Sequence, residues 1–123
     1  MKFTGICLVT ESVPVLVQFY SRILGYQAEG DNTHAEFEIS GLSLAIFSRL
    51  GMEELAPESM QGAGSGNFTI GFEVEDVDAE YERLKALEVT FVKPPATYPW
   101  GARSVWFRDP DGNIVDFYSR VRL

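Results

Sequence analysis

The chain repeats itself. A strand-like run, an amphipathic helical stretch and three further strand-like runs occur in order, and the same order then occurs again. Moving the first strand and helix forward by 64 residues places Ile6 on Ile70, Leu8 on Phe72, Glu11 on Glu75, Ser12 on Asp76 and Val13 on Val77. The last strand needs a shift of 71, which places Gly41 on Gly112, Leu44 on Val115, Ile46 on Phe117 and Ser48-Arg49 on Ser119-Arg120. The difference of 7 is an insertion in the second copy, assigned to the loop of residues 94–101. Duplicated units of this length pack to share a core. The expectation is an α+β fold of two βαβββ modules in a single domain over residues 1–123, with module 1 at 1–49, a linker at 50–66 and module 2 at 67–123.

Each element has a local cause. Residues 2–10 alternate with Ile6 and Leu8 on one face and Phe3, Cys7 and Val9 on the other, which predicts a central strand apolar on both faces. Ser12 caps the helix that follows, Pro14 is tolerated in its first turn, Leu16, Phe19, Tyr20 and Ile23 form its apolar stripe, and Gly25 ends it. Residues 26–30, 34–39 and 42–48 read as short strands joined at Asp31-Asn32 and Ser40-Gly41. Periodicity is lost from 49 to 66, where Gln61-Gly-Ala-Gly-Ser-Gly66 reads as a flexible linker. The pattern resumes with a strand at 67–74, a helix capped by Asp76 with Val77, Tyr81 and Leu84 buried, and a short strand at 90–92. Residues 93–101 hold three prolines and Trp100 and are expected to be a loop. Strands at 102–108 and 114–120 flank Asp109-Pro110-Asp111-Gly112, a turn in which Pro110 fixes φ and Gly112 supplies a positive one.

Composition removes several classes of function. With 46% hydrophobic and 23% charged residues, the chain has the balance of a soluble globule, and no apolar run is long enough to cross a bilayer, so no membrane partner is expected. The start, Met1-Lys2-Phe3-Thr4, does not read as a secretory signal. A formal charge of −8 repels phosphate backbones and argues against nucleic acid. The single cysteine, Cys7, cannot form an internal disulfide, which suits the cytoplasm. The single histidine, His34, follows a turn and reads as a surface residue, and with one His and one Cys the chain lacks the inventory of a zinc, iron or copper site.

Phe19-Tyr20 followed by Leu24-Gly25-Tyr26, the junction Phe72-Glu-Val-Glu-Asp-Val77, the turn Phe107-Arg-Asp-Pro-Asp-Gly-Asn113 and Pro99-Trp100-Gly101 together resemble the vicinal oxygen chelate superfamily, the glyoxalase/bleomycin resistance protein/dioxygenase family. The resemblance covers essentially the whole chain and is nearest to the metal-free, bleomycin-resistance-like branch. It implies modules whose sheets form a curved, partly open barrel around a central cleft. It also implies that metal-dependent relatives take their ligands from the first and last strand of each module. The matching positions here are Gly5, Thr69, Ala45 and Asp116. Gly and Ala have no donor, Thr offers a neutral hydroxyl, and one carboxylate does not assemble a metal site. No metal and no cofactor is expected.

Alternation in phase with those positions, together with the resemblance, gives the expected ligand contacts: Phe47, Thr69, Glu73, Trp100, Trp106, Asp116 and Tyr118, with the small residues Gly5, Ala45 and Gly71 leaving room. Glu73 and Asp116 are alternatively partners of Arg49, Arg103 or Arg120 in salt bridges, and Phe47 and Tyr118 alternatively plain core. Three functions follow in order. The first is a small-molecule-binding protein that sequesters a cationic or aromatic compound without a protein-held metal. The second is an enzyme, either a metal-independent lyase or isomerase using Asp116 or Glu73 as a general base or a degenerate glyoxalase- or dioxygenase-like enzyme. The third is a subunit whose cleft is vestigial. The resemblance also implies a homodimer.

Overall fold

The computed structural model describes residues 1–122, in two compact units that divide between Ala63 and Gly64. The first unit contains β1 (Gly5–Thr10), α1 (Val13–Leu24), β2 (Glu29–Gly30), β3 (His34–Ile39), β4 (Leu42–Ser48) and α2 (Arg49–Leu55). The second contains β5 (Thr69–Glu73), α3 (Val77–Ala86), β6 (Thr90–Tyr98), β7 (Ala102–Arg108) and β8 (Ile114–Arg120). Each unit is the expected βαβββ module, and its sheet is an open four-stranded sheet, ordered β1-β4-β3-β2 in the first and β5-β8-β7-β6 in the second. In both, the first strand runs parallel to the last and the remaining pairs are antiparallel.

The helices form where the caps predict. Ser12 Oγ accepts from Val15 N–H, Asp76 Oδ1 accepts from Ala79 N–H, and Gly25 takes φ +74° to end α1. In the first unit, Val13, Leu16, Tyr20 and Ile23 of α1 are buried with Leu8, Ala35, Phe37, Leu44 and Ile46 from alternate strand positions. The second unit buries Val77 and Leu84 of α3 with Val105, Phe107, Val115 and Phe117, and its aromatic rings meet edge to face, Phe107 and Phe117 with centroids 5.1 Å apart. Such rings contribute beyond their area when packed this way. In each unit one sheet face is therefore core. Among the described residues no helix is long and apolar enough to cross a membrane.

Three local expectations differ from the structure. β1 lies at an edge of its sheet, not in the middle, and its second apolar face is uncovered within the unit: Cys7 is exposed and Phe3 is 69% exposed. The aperiodic stretch after residue 48 opens with α2, which is held by polar contacts instead of an apolar stripe. Ser48 Oγ caps it by accepting from Gly51 N–H at 2.9 Å, and the Arg49 guanidinium donates to the carbonyls of Met60 and Ala63 at 3.0 and 3.1 Å. The expected loop at 93–101 is mostly strand, because β6 runs through Pro94 and Pro95 to Tyr98. Proline removes a ladder donor and survives in sheets at edges and bulges. β6 is an edge strand, and its register with β7 shifts between Phe91 and Lys93 and again between Lys93 and Ala96.

Candidate functional site

The face of the second sheet turned away from α3 carries the polar and aromatic side chains. Regular alternation places Ala102, Ser104 and Trp106 of β7 beside Asp116 and Tyr118 of β8, with Trp106 opposite Asp116 and Ser104 opposite Tyr118. On β6 the register shifts do the placing. Lys93 lies opposite Trp106, Ala96 opposite Ser104 and Tyr98 opposite Ala102. Strict alternation would turn Lys93 and Ala96 to opposite faces, and the shift re-aims Lys93 onto the same face as the rest. Together with Trp100 in the turn after β6, these residues line a pocket of about 220 Å³: Lys93, Tyr98, Trp100, Ala102, Ser104, Trp106, Asp116 and Tyr118.

Lys93 is the centre of the pocket's contacts. Its Nζ donates to Ser104 Oγ at 2.9 Å and lies 4.4 Å from the centre of the Tyr98 ring and 4.5 Å from that of Trp106. A cation over two ring faces is attracted by their quadrupoles. Tyr98 stacks on Trp100 at 4.8 Å with the planes only 7° apart, while Trp100 itself stays 75% exposed. The pocket thus has a flat, solvent-open aromatic wall.

Asp116 lies beside this cluster without joining it. Its Oδ1 and the Trp106 Nε1 are both buried and lack a hydrogen-bond partner. Burial raises the Asp116 pKa, and the charge of Lys93 and the nearby Trp106 indole N–H only partly offset this. The indole acts as a local dipole on the carboxyl, since the pair does not reach the geometry of a hydrogen bond. Loss of hydration outweighs attraction here because Lys93 lies against the rings and Ser104 and forms no ion pair with Asp116.

The sequence-predicted residues fall as follows. Trp100, Trp106, Asp116 and Tyr118 are brought together in the pocket. Thr69 and Glu73 sit on β5 opposite Ile114 and Tyr118, on the same sheet face but outside the pocket lining. Phe47 belongs to the first unit, where its ring meets His34 edge to face at 5.4 Å and closes over Gly51 so tightly that a Cβ there would lie 2.5 Å from Phe47 Cε1. Of the alternative salt bridges, Glu73 approaches Arg120 at 3.7 Å, whereas Arg103 grips Asp78 at 2.7 and 2.9 Å and Arg49 turns to Glu11. Lys93 and Tyr98 were not anticipated, because the prolines hid the strand that presents them.

The positions at which the resemblance implies a metal do not fit one. Gly5 takes φ +146°, and a Cβ there would lie 1.9 Å from the Ser43 carbonyl oxygen, so β4 excludes any side chain at that point. Ala45 carries no donor, Thr69 only a hydroxyl, and Asp116 has one oxygen buried and a lysine ammonium nearby. Among the described residues no group of three or more His, Cys, Asp or Glu is placed to hold a metal.

Residues 2–117 match the family model described as "Glyoxalase/Bleomycin resistance protein/Dioxygenase superfamily". The Bacillus subtilis protein YraH is 33% identical over 98% of this chain and 100% of its own length. A crystal structure of a glyoxalase/bleomycin resistance protein/dioxygenase from Nocardioides superposes with a TM-score of 0.82 at 30% identity, covering 99% of this chain and 85% of that one. A family enzyme from Burkholderia phytofirmans gives a TM-score of 0.86 at 14% identity, over 98% of this chain and 100% of that one, which is a likeness of fold alone.

Proposed function

Because the chain belongs to the glyoxalase/bleomycin resistance protein/dioxygenase superfamily, we propose that it is a small-molecule-binding protein that works without a protein-held metal and takes its ligand in the pocket of the second unit. The observation that carries this reading is the wall formed by Tyr98 and Trp100, two parallel rings of which the outer is 75% exposed at the mouth of a preformed concavity. Stacking on Tyr98 covers only one face of this indole, whereas a planar ligand laid on the other removes apolar surface from water on both partners. Few polar groups among mostly aromatic walls is the usual make-up of a small-molecule site. Of the cationic and aromatic ligands that the sequence suggested, the geometry favours the aromatic.

A thermal-shift screen of aromatic compounds tests this, since any ligand that binds only the folded chain raises the melting temperature. For a compound that does so, Trp100→Ala should weaken binding by about 1–3 kcal/mol through lost apolar contact. Unchanged affinity in that variant would place the ligand elsewhere and reject the reading.

A second reading has one observation in its favour. The raised pKa of Asp116 suits a general acid or base, which works best when its pKa approaches the ambient pH. Recovery of a bound compound chemically altered by the wild-type protein and unaltered by Asp116→Asn would favour an enzyme over a binder. In either case we propose a cytoplasmic homodimer.

A further inference from the structure

We propose that the pocket of the second unit is selective for small aromatic carboxylates, with Lys93 as the counter-ion of the carboxylate and the Tyr98–Trp100 pair as the platform for the ring. This rests on the reading of that pocket as the ligand site and names the ligand's chemistry.

The reasoning begins with the charge already present. Among the described residues no carboxylate forms an ion pair with Lys93, although the protein carries a formal charge of −8. The other acids near this face are unsuited to the task. Glu73 leans toward Arg120 at 3.7 Å, and Asp116 keeps one oxygen buried without a donor. The contacts Lys93 does make are a neutral hydroxyl and two ring faces. An ammonium has three donors, and one of them is used by Ser104. The half-buried site therefore holds a cation with donors to spare and no carboxylate in an ion pair with it.

The same arrangement disfavours a cationic ligand. The ring faces of Tyr98 and Trp106 that would attract one are covered by the Lys93 ammonium at 4.4 and 4.5 Å. An incoming cation would meet like charge over both of these rings. A carboxylate would instead accept a charge-assisted hydrogen bond from Nζ, stronger than a neutral one. Size limits the rest of the ligand. An apolar cavity of about 150 Å³ suffices for benzene, so about 220 Å³ takes one ring bearing a carboxylate. Trp100 lines the same pocket and remains 75% exposed to receive that ring.

Benzoate, benzamide and benzamidine test charge at constant shape. Each is titrated into the full-length protein at neutral pH by calorimetry, with wild type, Lys93→Met, Asp116→Asn and Trp100→Ala. Benzoate should bind about tenfold more tightly than benzamide, and more tightly than benzamidine by at least as much. Lys93→Met should remove the advantage of benzoate over benzamide, so that the two compounds bind the variant alike. Asp116→Asn should bind benzoate at least as tightly as the wild type does, because Asp116 forms no ion pair with Lys93, and a large loss would show that Asp116 and not Lys93 holds the carboxylate. Added salt should weaken benzoate and spare benzamide in the wild-type protein, a readout that needs no variant.

Equal binding of benzoate and benzamide, or tighter binding of benzamidine, overturns the carboxylate proposal. The pocket itself survives that result if Trp100→Ala weakens whichever compound binds. Absence of binding by all three at millimolar concentration overturns the carboxylate proposal and counts against the pocket as well.

Discussion

Trp106 and Asp116 face each other across the β7–β8 ladder, and the indole Nε1 of one and the Oδ1 of the other are both buried without a hydrogen bond. Burial raises the Asp116 pKa, so the folded state favours the protonated acid. The sign follows from linkage. The stability tied to this group is fully present below the pKa of the unfolded carboxyl and is lost as pH rises through the higher folded value. Asp116→Asn, which stays neutral, should therefore be at least as stable as wild type at neutral pH, with the gap closing in acid. Denaturant unfolding of both proteins between about pH 3.5 and 7 isolates the residue from the other carboxylates. A variant less stable than wild type at neutral pH would mean that Lys93 holds Asp116 charged.

Asp109 offers the contrasting case of a buried carboxylate fully used. It is 5% exposed, and its Oδ1 accepts from the Asp111 and Asn113 N–H groups at 2.9 Å while Oδ2 accepts from Asn113 Nδ2 at 3.0 Å. The turn that joins β7 to β8 is thus tied from within by its first residue. Asp109→Ala should cost about 2–4 kcal/mol by leaving buried donors unmatched. Urea unfolding measures it, and a loss of only a few tenths would show that the turn holds without the carboxylate.

The contrast between these residues marks what the sequence makes legible. Asp109 is readable because a turn is a local event, fixed by Pro110, by Gly112 at φ +88° and by hydrogen bonds within a few residues. The caps at Ser12 and Asp76 are readable for the same reason. Trp106, Asp116 and Tyr118 could be assigned to one face because β7 and β8 keep a regular register. Lys93 and Tyr98 could not, because their common facing depends on register shifts with a neighbouring strand, which no period of two contains. The helix α2 escaped for a different reason. Arg49 reaches carbonyls at Met60 and Ala63, and Glu53 accepts from the Glu58 and Met60 N–H groups, so its support is polar and leaves no apolar rhythm to read.

Assembly follows from what each unit leaves uncovered. α1 and α3 each pack on one face of their sheet, and apolar side chains such as Phe3, Ile6 and Phe68 stay more than a third exposed at 69%, 38% and 39%. Burying such surface between copies is the cheapest way to remove it from water, and two-fold pairing is the commonest route. Sedimentation at micromolar concentration should give a dimer, and a stable monomer would reject the expectation.

Metal independence is the sharpest test of how the fold has been used. Of the positions at which the family resemblance implies ligands, Gly5 is fixed by geometry: at φ +146° with the Ser43 carbonyl oxygen 1.9 Å from where a Cβ would be, β1 and β4 pair only because nothing projects there. Gly5→Ala should therefore destabilise the first unit by several kcal/mol, on the order of the larger single-residue effects. Gly5→His should do at least as much and gain no metal affinity, since the ring cannot enter without parting the strands. In the wild type, a chelator should leave the melting temperature unchanged and metal analysis should find less than one equivalent of zinc, nickel, manganese or iron. A stoichiometric first-row metal lost together with Asp116→Asn would overturn this, and would mean that the donors Thr69 and Asp116 are completed by groups whose chemistry the sequence does not announce.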